Sequence, residues 1–326
     1  MSGAVLNYPL FDGEKIIENA SVTTENGIIT AVTEGQNVDS RYLLMPGLID
    51  AHTHMSNEYQ IAEMLKCGIV AACDVSAPSG LVANSKDLTI ISSAGMTMGT
   101  LGGKGYVKKA IENGAKYIKV LLFEPNLMPK AALKSICTSA HEHDLKVAVH
   151  ATSTKAERMA IDCGADILLH VPMKEELPES LAKDIAERAV AVAPTLVMME
   201  VFSHSGRGGY LPEHYKNAEN AVRTLHRCGV TLLAATDAND GSFAPAVDHG
   251  SSMHREMELL CRAGLTPVEV LTAATSKVCE VFGIDGLGSV SVGKKATLIL
   301  IDGRPDKDIS TIKNIRQIWT NGERML

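Results

Sequence analysis

The segment Pro46–His54 reads PGLIDAHTH, an apolar run that ends in two histidines separated by one residue. A short apolar run bounded by a proline–glycine pair predicts a buried strand. Side chains two residues apart on a strand point to the same face, so we expect His52 and His54 to project together. Two neutral imidazoles arranged in this way can hold one metal ion. Because the motif also fits two polar residues at a strand end, its meaning depends on the rest of the chain.

Further β-prone runs alternate with helix-compatible stretches along the chain. We predict eight strands, at Leu44–Ile49, Ile69–Val75, Thr89–Met98, Tyr117–Phe123, Lys146–His150, Asp166–His170, Val190–Val197 and Thr231–Ala235. Regular alternation of this kind indicates parallel βα units, and eight units fit a closed (β/α)8 TIM barrel of the α/β class. A doubly wound open sheet is the alternative, but the chain lacks the Gly-x-Gly-x-x-Gly turn that would favour it.

The two ends of the chain have a different pattern from the middle. They carry β-prone runs at Ser21–Thr24, Ile28–Val32, Ala296–Ile301 and Ile315–Thr320. Asn26-Gly27 separates the first two runs, and Asn-Gly between such runs is a strong hairpin signal. Because β-rich termini flank the predicted barrel, we expect them to pair into one small composite sheet.

Composition excludes several classes of protein. The 326 residues carry a net charge of −7 with no run of Lys or Arg, which argues against a nucleic-acid partner. No apolar run reaches the ~20 residues of a membrane span, and residues 1–10 do not resemble a signal peptide. The seven cysteines form no Cys-x-x-Cys pair, so we expect free thiols in a reducing compartment and a cytoplasmic location.

Other candidate ligands also stand where a predicted strand ends. His150 closes the run VAVH, His170 closes ILLH, and Asp237 follows LLAAT. In barrel enzymes the carboxyl ends of the strands converge on the active site. One such histidine alone would be read as a hydrogen-bonded core residue, but four histidines and an aspartate at corresponding strand ends predict a metal site.

Lys119 stands inside the otherwise apolar run YIKVLLF. A buried lysine has a depressed pKa and is unfavourable to bury as a cation. It could form an ion pair with a barrel carboxylate. Alternatively, its partly neutral amine could take up carbon dioxide and become a carbamate that bridges two metal ions.

With these residues in view, the chain resembles the amidohydrolase superfamily, in its imidazolonepropionase-like and prolidase-like branch. The resemblance covers nearly the whole sequence. Its markers are Pro46–His54, Tyr117–Val120, Val149–Ala151, Leu169–His170, Thr236–Ala238, His249–Gly250, Ala263–Pro267 and Ala273–Thr275. The family implies a distorted barrel, here residues 45–289, with a composite β-sandwich formed by residues 1–44 and 290–326.

The resemblance also implies a role for each candidate ligand. His52, His54 and Asp237 would bind the more buried of two divalent metal ions, with zinc as the first choice. His150 and His170 would bind the second ion, and a Lys119 carboxylated by carbon dioxide would bridge the pair together with a shared hydroxide. Asp237 would act as general base and then general acid.

These roles predict a metal-dependent hydrolase that cleaves an amide, lactam or ester carbonyl in a small molecule, with peptide-like or N-acyl amino acid substrates preferred. One alternative is a one-metal enzyme that opens a cyclic amide or deaminates an aminoheterocycle. Deaminases of the superfamily typically carry a glutamate where this chain has Ser153, which counts against deamination. A non-catalytic binding protein on the same fold is the remaining alternative. The family is often homo-oligomeric, but the oligomeric state stays open.

Substrate contacts are harder to predict, because specificity resides in loops. Lys104 could offset an anionic substrate or lie on the surface. His204, Arg207 and Tyr210 belong to a glycine-rich stretch that could form a lid, with Arg207 binding a carboxylate, or a solvated loop. His249 could line the pocket or cap a helix.

Overall fold

The computed structural model describes residues 3–35, 38–98 and 103–325, and all structural statements below refer to these ranges. The strands β1 to β15 are Ala4–Phe11, Ile16–Glu25, Ile28–Glu34, Tyr42–Pro46, Leu48–Thr53, Ile69–Asp74, Thr89–Ser92, Met96–Thr97, Ile118–Leu122, Val147–Ala151, Ile167–Leu169, Ala191–Ala193, Leu298–Asp302, Ile315–Thr320 and Glu323–Arg324. The helices α1 to α11 are Glu58–Lys66, Ser79–Asn84, Gly103–Glu112, Lys130–His141, Thr154–Cys163, Glu179–Glu187, Leu196–His204, Tyr215–Arg227, Ser251–Arg262, Pro267–Ala273 and Ser276–Phe282.

Strands from both termini pair into one seven-stranded sheet, in the order β15-β14-β13-β4-β1-β2-β3. The two ends of the chain meet where β13 runs antiparallel to β4, with Ile299 opposite Met45. The predicted composite sheet is therefore present. The β-sandwich and the division into residues 1–44 with 290–326 and 45–289 stay predictions.

The remaining strands form parallel sheets, as α/β alternation predicts. One sheet has three strands in the order β5-β6-β7, and the other has five in the order β12-β11-β10-β9-β8. Among the described residues these two sheets are not joined into one continuous eight-stranded ladder, so the closed barrel stays a prediction. The third predicted strand, Thr89–Met98, is broken into β7 and β8, because Ala94 (φ 53°) and Gly95 (φ 112°) leave the extended conformation.

The eighth predicted strand, Thr231–Ala235, is not a regular strand. Its backbone still bonds to both sides. Leu233 N donates to Val192 O and Val192 N donates to Thr231 O, both at 2.9 Å, and Ala51 N donates to Ala234 O at 3.1 Å. The Ala234 amide instead donates to Ala273 O at 2.9 Å. The carbonyl at the end of α10 thus accepts a hydrogen bond that, in a regular strand, would go to a neighbouring strand. The segment therefore lies irregularly between the two parallel sheets.

Both parallel sheets contribute to one buried interior cluster with this irregular segment. Its members on the strands and on the segment are Ile49, Ala51, Ala71, Cys73, Ala148, Ile167, Leu169, Ala191, Ala193, Leu233 and Ala235. They recur at every second position because alternate side chains of a strand share a face. The many alanines leave room for larger side chains, among them Tyr117 and Phe282. This shared interior orients the carboxyl ends of the strands toward one region.

The seven cysteines are free thiols, as predicted. Among the described residues, no helix combines the length and apolar character that crossing a bilayer requires.

Candidate metal centre

Three of the predicted ligands form a compact group at the end of β5. His52 and His54 stand at alternate positions, and their Nε2 atoms each lie 3.2 Å from the Oδ1 atom of Asp237. The candidate ligand atoms of these side chains all lie within 4.8 Å of one another. All three residues are buried. Asp237 adopts φ 56°, an uncommon conformation for a residue with a side chain.

Lys119 lies beside this group. It occupies the second position of β9 and is only 1% exposed. Its Nζ atom is 3.2 Å from the Nε2 atom of His52. Burial lowers the pKa of Lys119 to about 7, against a smaller opposite effect of the Asp237 charge. A large fraction of the amine is therefore neutral near pH 7, as uptake of carbon dioxide requires.

The other two predicted ligands continue the same cluster. The ring of His170 lies 5.6 Å from that of His52, and the ring of His150 lies 4.5 Å from that of His170, measured between centroids. His170 follows β11 with φ 74°, while His150 lies within β10. All six predicted ligands are thus brought into one contiguous cluster.

Burial determines the charge state of this cluster. It lowers the pKa of His52 and of His150 to about 3, assisted by the nearby Lys119 charge, and it lowers the pKa of His170 well below its usual value. Burial alone would raise the pKa of Asp237, but the adjacent His52 and His54 hold it well below the usual range. Neutral imidazoles with an ionised carboxylate are the forms in which these side chains bind a divalent cation.

Supporting residues around the cluster were not foreseen. The Oγ1 atom of Thr195 lies 2.7 Å from His170 Nδ1. Buried Asp50 accepts hydrogen bonds from His52 N at 3.1 Å and from Thr236 Oγ1 at 2.6 Å. The only sequence signal for Asp50 was its place as an acidic residue inside the apolar run before His52.

Asp74, at the end of β6, supports the loop that follows His54. Its carboxylate accepts from Met55 N at 2.6 Å, Thr53 Oγ1 at 2.9 Å and Ser76 N at 2.8 Å. The hydroxyl of Ser76 lies 3.4 Å from His54 Nδ1. Groups that hold the second ring nitrogen of a histidine orient that histidine as a ligand.

The five candidate substrate residues are not brought together into one group. Lys104 is exposed on α3, and His204 is the exposed last residue of α7, with Nδ1 2.8 Å from Glu200 O. Arg207 lies exposed in the glycine-rich turn that follows. Tyr210 is half-buried, with Lys174 Nζ 4.5 Å from its ring centroid.

His249 differs from the other four candidates. It is buried, and its Nε2 atom lies 3.2 Å from the backbone oxygen of His54. It therefore contacts a candidate ligand residue through the main chain. Two aromatic neighbours of the cluster were missed altogether: Phe243 lies 4.7 Å from the His54 ring, and Phe123 lies 4.5 Å from the His150 ring.

The donor set fits a divalent transition metal. Imidazole nitrogens and a carboxylate oxygen suit zinc and its neighbours in the first transition row. The Nε2 atoms of His52 and His54 converge on one oxygen of Asp237, so these three residues would hold the first cation.

Residues 43–325 match the sequence model of the amidohydrolase family. The chain belongs to the amidohydrolase family. This amidohydrolase is 23% identical, over an alignment of 408 residues, to a 5-methylthioadenosine/S-adenosylhomocysteine deaminase of Bacillus cereus (strain G9842). The alignment covers 96% of the chain and 90% of the deaminase.

Solved structures of low sequence identity share the fold of this amidohydrolase. A Xaa-Pro dipeptidase with bound methionine superposes with a TM-score of 0.84 and 19% identity, covering 99% of both chains. The A. niger ochratoxinase superposes with a TM-score of 0.82 and 20% identity, covering 99% of this chain and 95% of that one. The chain is accordingly a metal-dependent enzyme of a family that acts on carbon–nitrogen bonds.

Proposed function

We propose that this amidohydrolase hydrolyses an amide, lactam or ester carbonyl of a small molecule at a centre of two divalent cations, with peptide-like or N-acyl amino acid substrates preferred. The observation that carries the proposal is the buried Lys119 amine, 3.2 Å from His52 Nε2 at the edge of the His52–His54–Asp237 group. A one-cation site has no need for a lysine there, whereas a carboxylated lysine supplies an anion between two cations.

Each side chain has a defined task in this proposal. His52, His54 and Asp237 would hold the first cation, and His150 and His170 would hold the second, with zinc as the first choice for both. When bound, the cations acidify water and polarise the substrate carbonyl. Asp237 accepts the proton of the attacking water and delivers it to the leaving nitrogen or oxygen. The carbonyl–heteroatom bond therefore breaks without releasing an amide anion or an alkoxide.

Carboxylation of Lys119 uses carbon dioxide as its only co-reactant. The neutral amine attacks carbon dioxide, a new nitrogen–carbon bond forms, and one proton leaves to solvent. The side chain changes from a potential cation into an anion. Since its site is nearly inaccessible to solvent, the anion would be stabilised chiefly by the cations it joins.

Metal content and turnover test the proposal together. Protein purified from zinc-supplemented culture should contain about two equivalents of metal per chain, measured by inductively coupled plasma mass spectrometry. It should hydrolyse at least one class among dipeptides, N-acyl amino acids, lactams and esters. One equivalent of metal with full activity would contradict the two-cation centre, and metal-loaded protein inactive on all four classes would contradict the reaction.

Deamination of an aminoheterocycle is the second candidate, because the deaminase named above aligns with 96% of the chain. The local structure at Ser153 bears on it. The Ser153 hydroxyl accepts from Ala156 N at 3.2 Å and so caps helix α5. A capping serine is not an acid that could protonate a heterocycle. Ammonia release from adenosine-type substrates, measured beside the hydrolase panel, distinguishes the two candidates.

We also propose that residues 231–238 occupy the eighth strand position of a distorted barrel. The support is the pair of isolated parallel bridges that join this segment to both sheets, Val192 with Leu232 and Thr53 with Ala238.

A further inference from the structure

Two exposed phenylalanines lie against the candidate metal centre. The chain has only five phenylalanines, and Phe123 and Phe243 are 43% and 58% exposed. Single exposed apolar residues are common and need no explanation. These two differ because each ring contacts a histidine of the centre, Phe123 at His150 and Phe243 at His54.

The two phenyl rings stand at opposite ends of a row of contacting rings. Successive centroid distances are 4.7, 5.1, 5.6, 4.5 and 4.5 Å in the order Phe243, His54, His52, His170, His150 and Phe123. The four imidazoles form the middle of the row. A carbonyl bound at these imidazoles would therefore have one phenyl ring at each end of the series of ring contacts.

Different loops position the two rings, so they form two separate contacts. Phe123 follows β9 directly, four residues after Lys119. Phe243 lies in the loop that follows Asp237. Each ring is tilted against its histidine, by 55° for Phe123 and 59° for Phe243, and part of each remains open to a bound group.

We infer that the substrate carries an apolar group on each side of the scissile carbonyl, preferably aromatic, and that Phe123 and Phe243 each contact one of these groups. The inference rests on the proposed hydrolysis and narrows its substrate class. Covering the exposed part of each ring removes apolar surface from water, and a tilted aromatic pair adds further attraction. The two contacts also orient the carbonyl, since both ends of the molecule are held.

The experiment uses the metal-loaded enzyme and four amides that differ at one end at a time. The acyl group is acetyl or phenylacetyl, and the amine is methylamine or benzylamine. A methylene separates each ring from the reacting atoms, so intrinsic reactivity changes little across the set. Phe123→Ala and Phe243→Ala are compared with the wild type and with Val292→Ala, which alters an apolar residue that is 65% exposed between α11 and β13.

We expect each aromatic group to raise kcat/KM of the wild type roughly tenfold, equivalent to about 1.4 kcal/mol. Each phenylalanine variant should lose the gain at one end of the amide and keep it at the other, whereas Val292→Ala should keep both. Equal kcat/KM for all four amides, or variants that retain both gains, would overturn the inference and leave the proposed reaction intact.

A binding measurement separates failure of the inference from failure of the reaction. The probe is the ketone in which CH2 replaces the NH of the phenylacetyl benzylamide, which cannot be hydrolysed. Calorimetry should show roughly tenfold weaker binding to each variant than to the wild type. If no amide is hydrolysed but the variants bind the ketone more weakly, the proposed reaction is wrong and the apolar contacts are supported. Equal ketone affinity in all proteins contradicts the contacts.

Discussion

The Oγ1 atom of Thr195 lies 2.7 Å from the Nδ1 atom of His170, and both residues have positive φ, 51° and 74°. Such φ values are uncommon for residues with a side chain, especially a β-branched one. The contact engages Nδ1 and leaves Nε2 as the nitrogen of His170 available to a metal ion. Strained backbone at two touching residues is typical of a functional site rather than of a purely structural one.

Replacing Thr195 by valine should weaken the metal site without unfolding the protein. Valine keeps the shape and the β-branch but removes the hydroxyl, so His170 loses its orienting partner. We expect metal affinity to fall by about 10- to 100-fold, the usual effect of losing a group that orients a ligand. Competition with a chromogenic chelator measures the change. Thr272→Val, which removes a hydroxyl bonded to Val268 O within α10, is the control and should bind metal normally.

Lys119→Ala should lose metal and turnover together. We expect activity to fall by more than about 100-fold, because even residues that only orient ligands contribute about 10- to 100-fold. The exposed Lys116→Ala variant, three positions earlier, should retain both properties. Elemental analysis and assays of the purified variants provide the readout. A Lys119→Ala enzyme with wild-type metal content and rate would show that the bridging role is wrong.

Asp50→Ala should destabilise the fold. The carboxylate accepts from Thr236 N, Thr236 Oγ1 and His52 N, and it thereby joins β5 to the irregular segment near Asp237. Removing it leaves buried donors unpaired, at a cost of about 2–4 kcal/mol in the free energy of unfolding. Urea denaturation measures this cost. The exposed Asp87→Ala should change stability little, and an equal effect of both variants would contradict the structural role of Asp50.

Glu256→Gln should make stability less dependent on pH. Burial raises the pKa of Glu256 to about 8, with smaller raising contributions from the Asp50 and Glu200 charges and opposing hydrogen bonds from the backbone of Val197 and Leu196. The pKa of this carboxyl group is near 4.5 in the unfolded chain and about 8 in the folded protein. Between these two pH values the unfolded state loses the proton first, so the free energy of unfolding falls as pH rises. The wild type should therefore lose stability over this range relative to the glutamine variant.

Calorimetric melting temperatures of the wild type and the glutamine variant, measured from about pH 5 to about pH 9, test the Glu256 prediction. Glutamine preserves an acceptor for Val197 N, which donates to Glu256 Oε2 at 2.7 Å, so packing is little changed. The two melting temperatures should diverge as pH rises. Parallel curves across the range would mean that folding does not raise the pKa of Glu256.

The amidohydrolase family, the α/β class with parallel sheets and the pairing of the two termini were all predictable from local sequence patterns. Strand periodicity placed His52 and His54 on one face, and apolar runs that end in a histidine or aspartate marked the remaining ligands. Lys119 was conspicuous because a charged residue interrupts a buried run. These features depend only on near neighbours in the chain, which is why sequence alone carries them.

Tertiary structure decided the rest. The positive φ values of Ala94 and Thr195 break or shorten predicted strands. No local sequence pattern predicts these values, because surrounding packing and hydrogen bonds impose them. Likewise, Thr195 reaches His170 and Phe243 reaches His54 only after distant segments are brought together. Sequence by itself therefore determined which chemical groups are available and on which strands they lie. The fold determined which of them touch, since contact between residues far apart in the chain depends on the packing of all the elements between them.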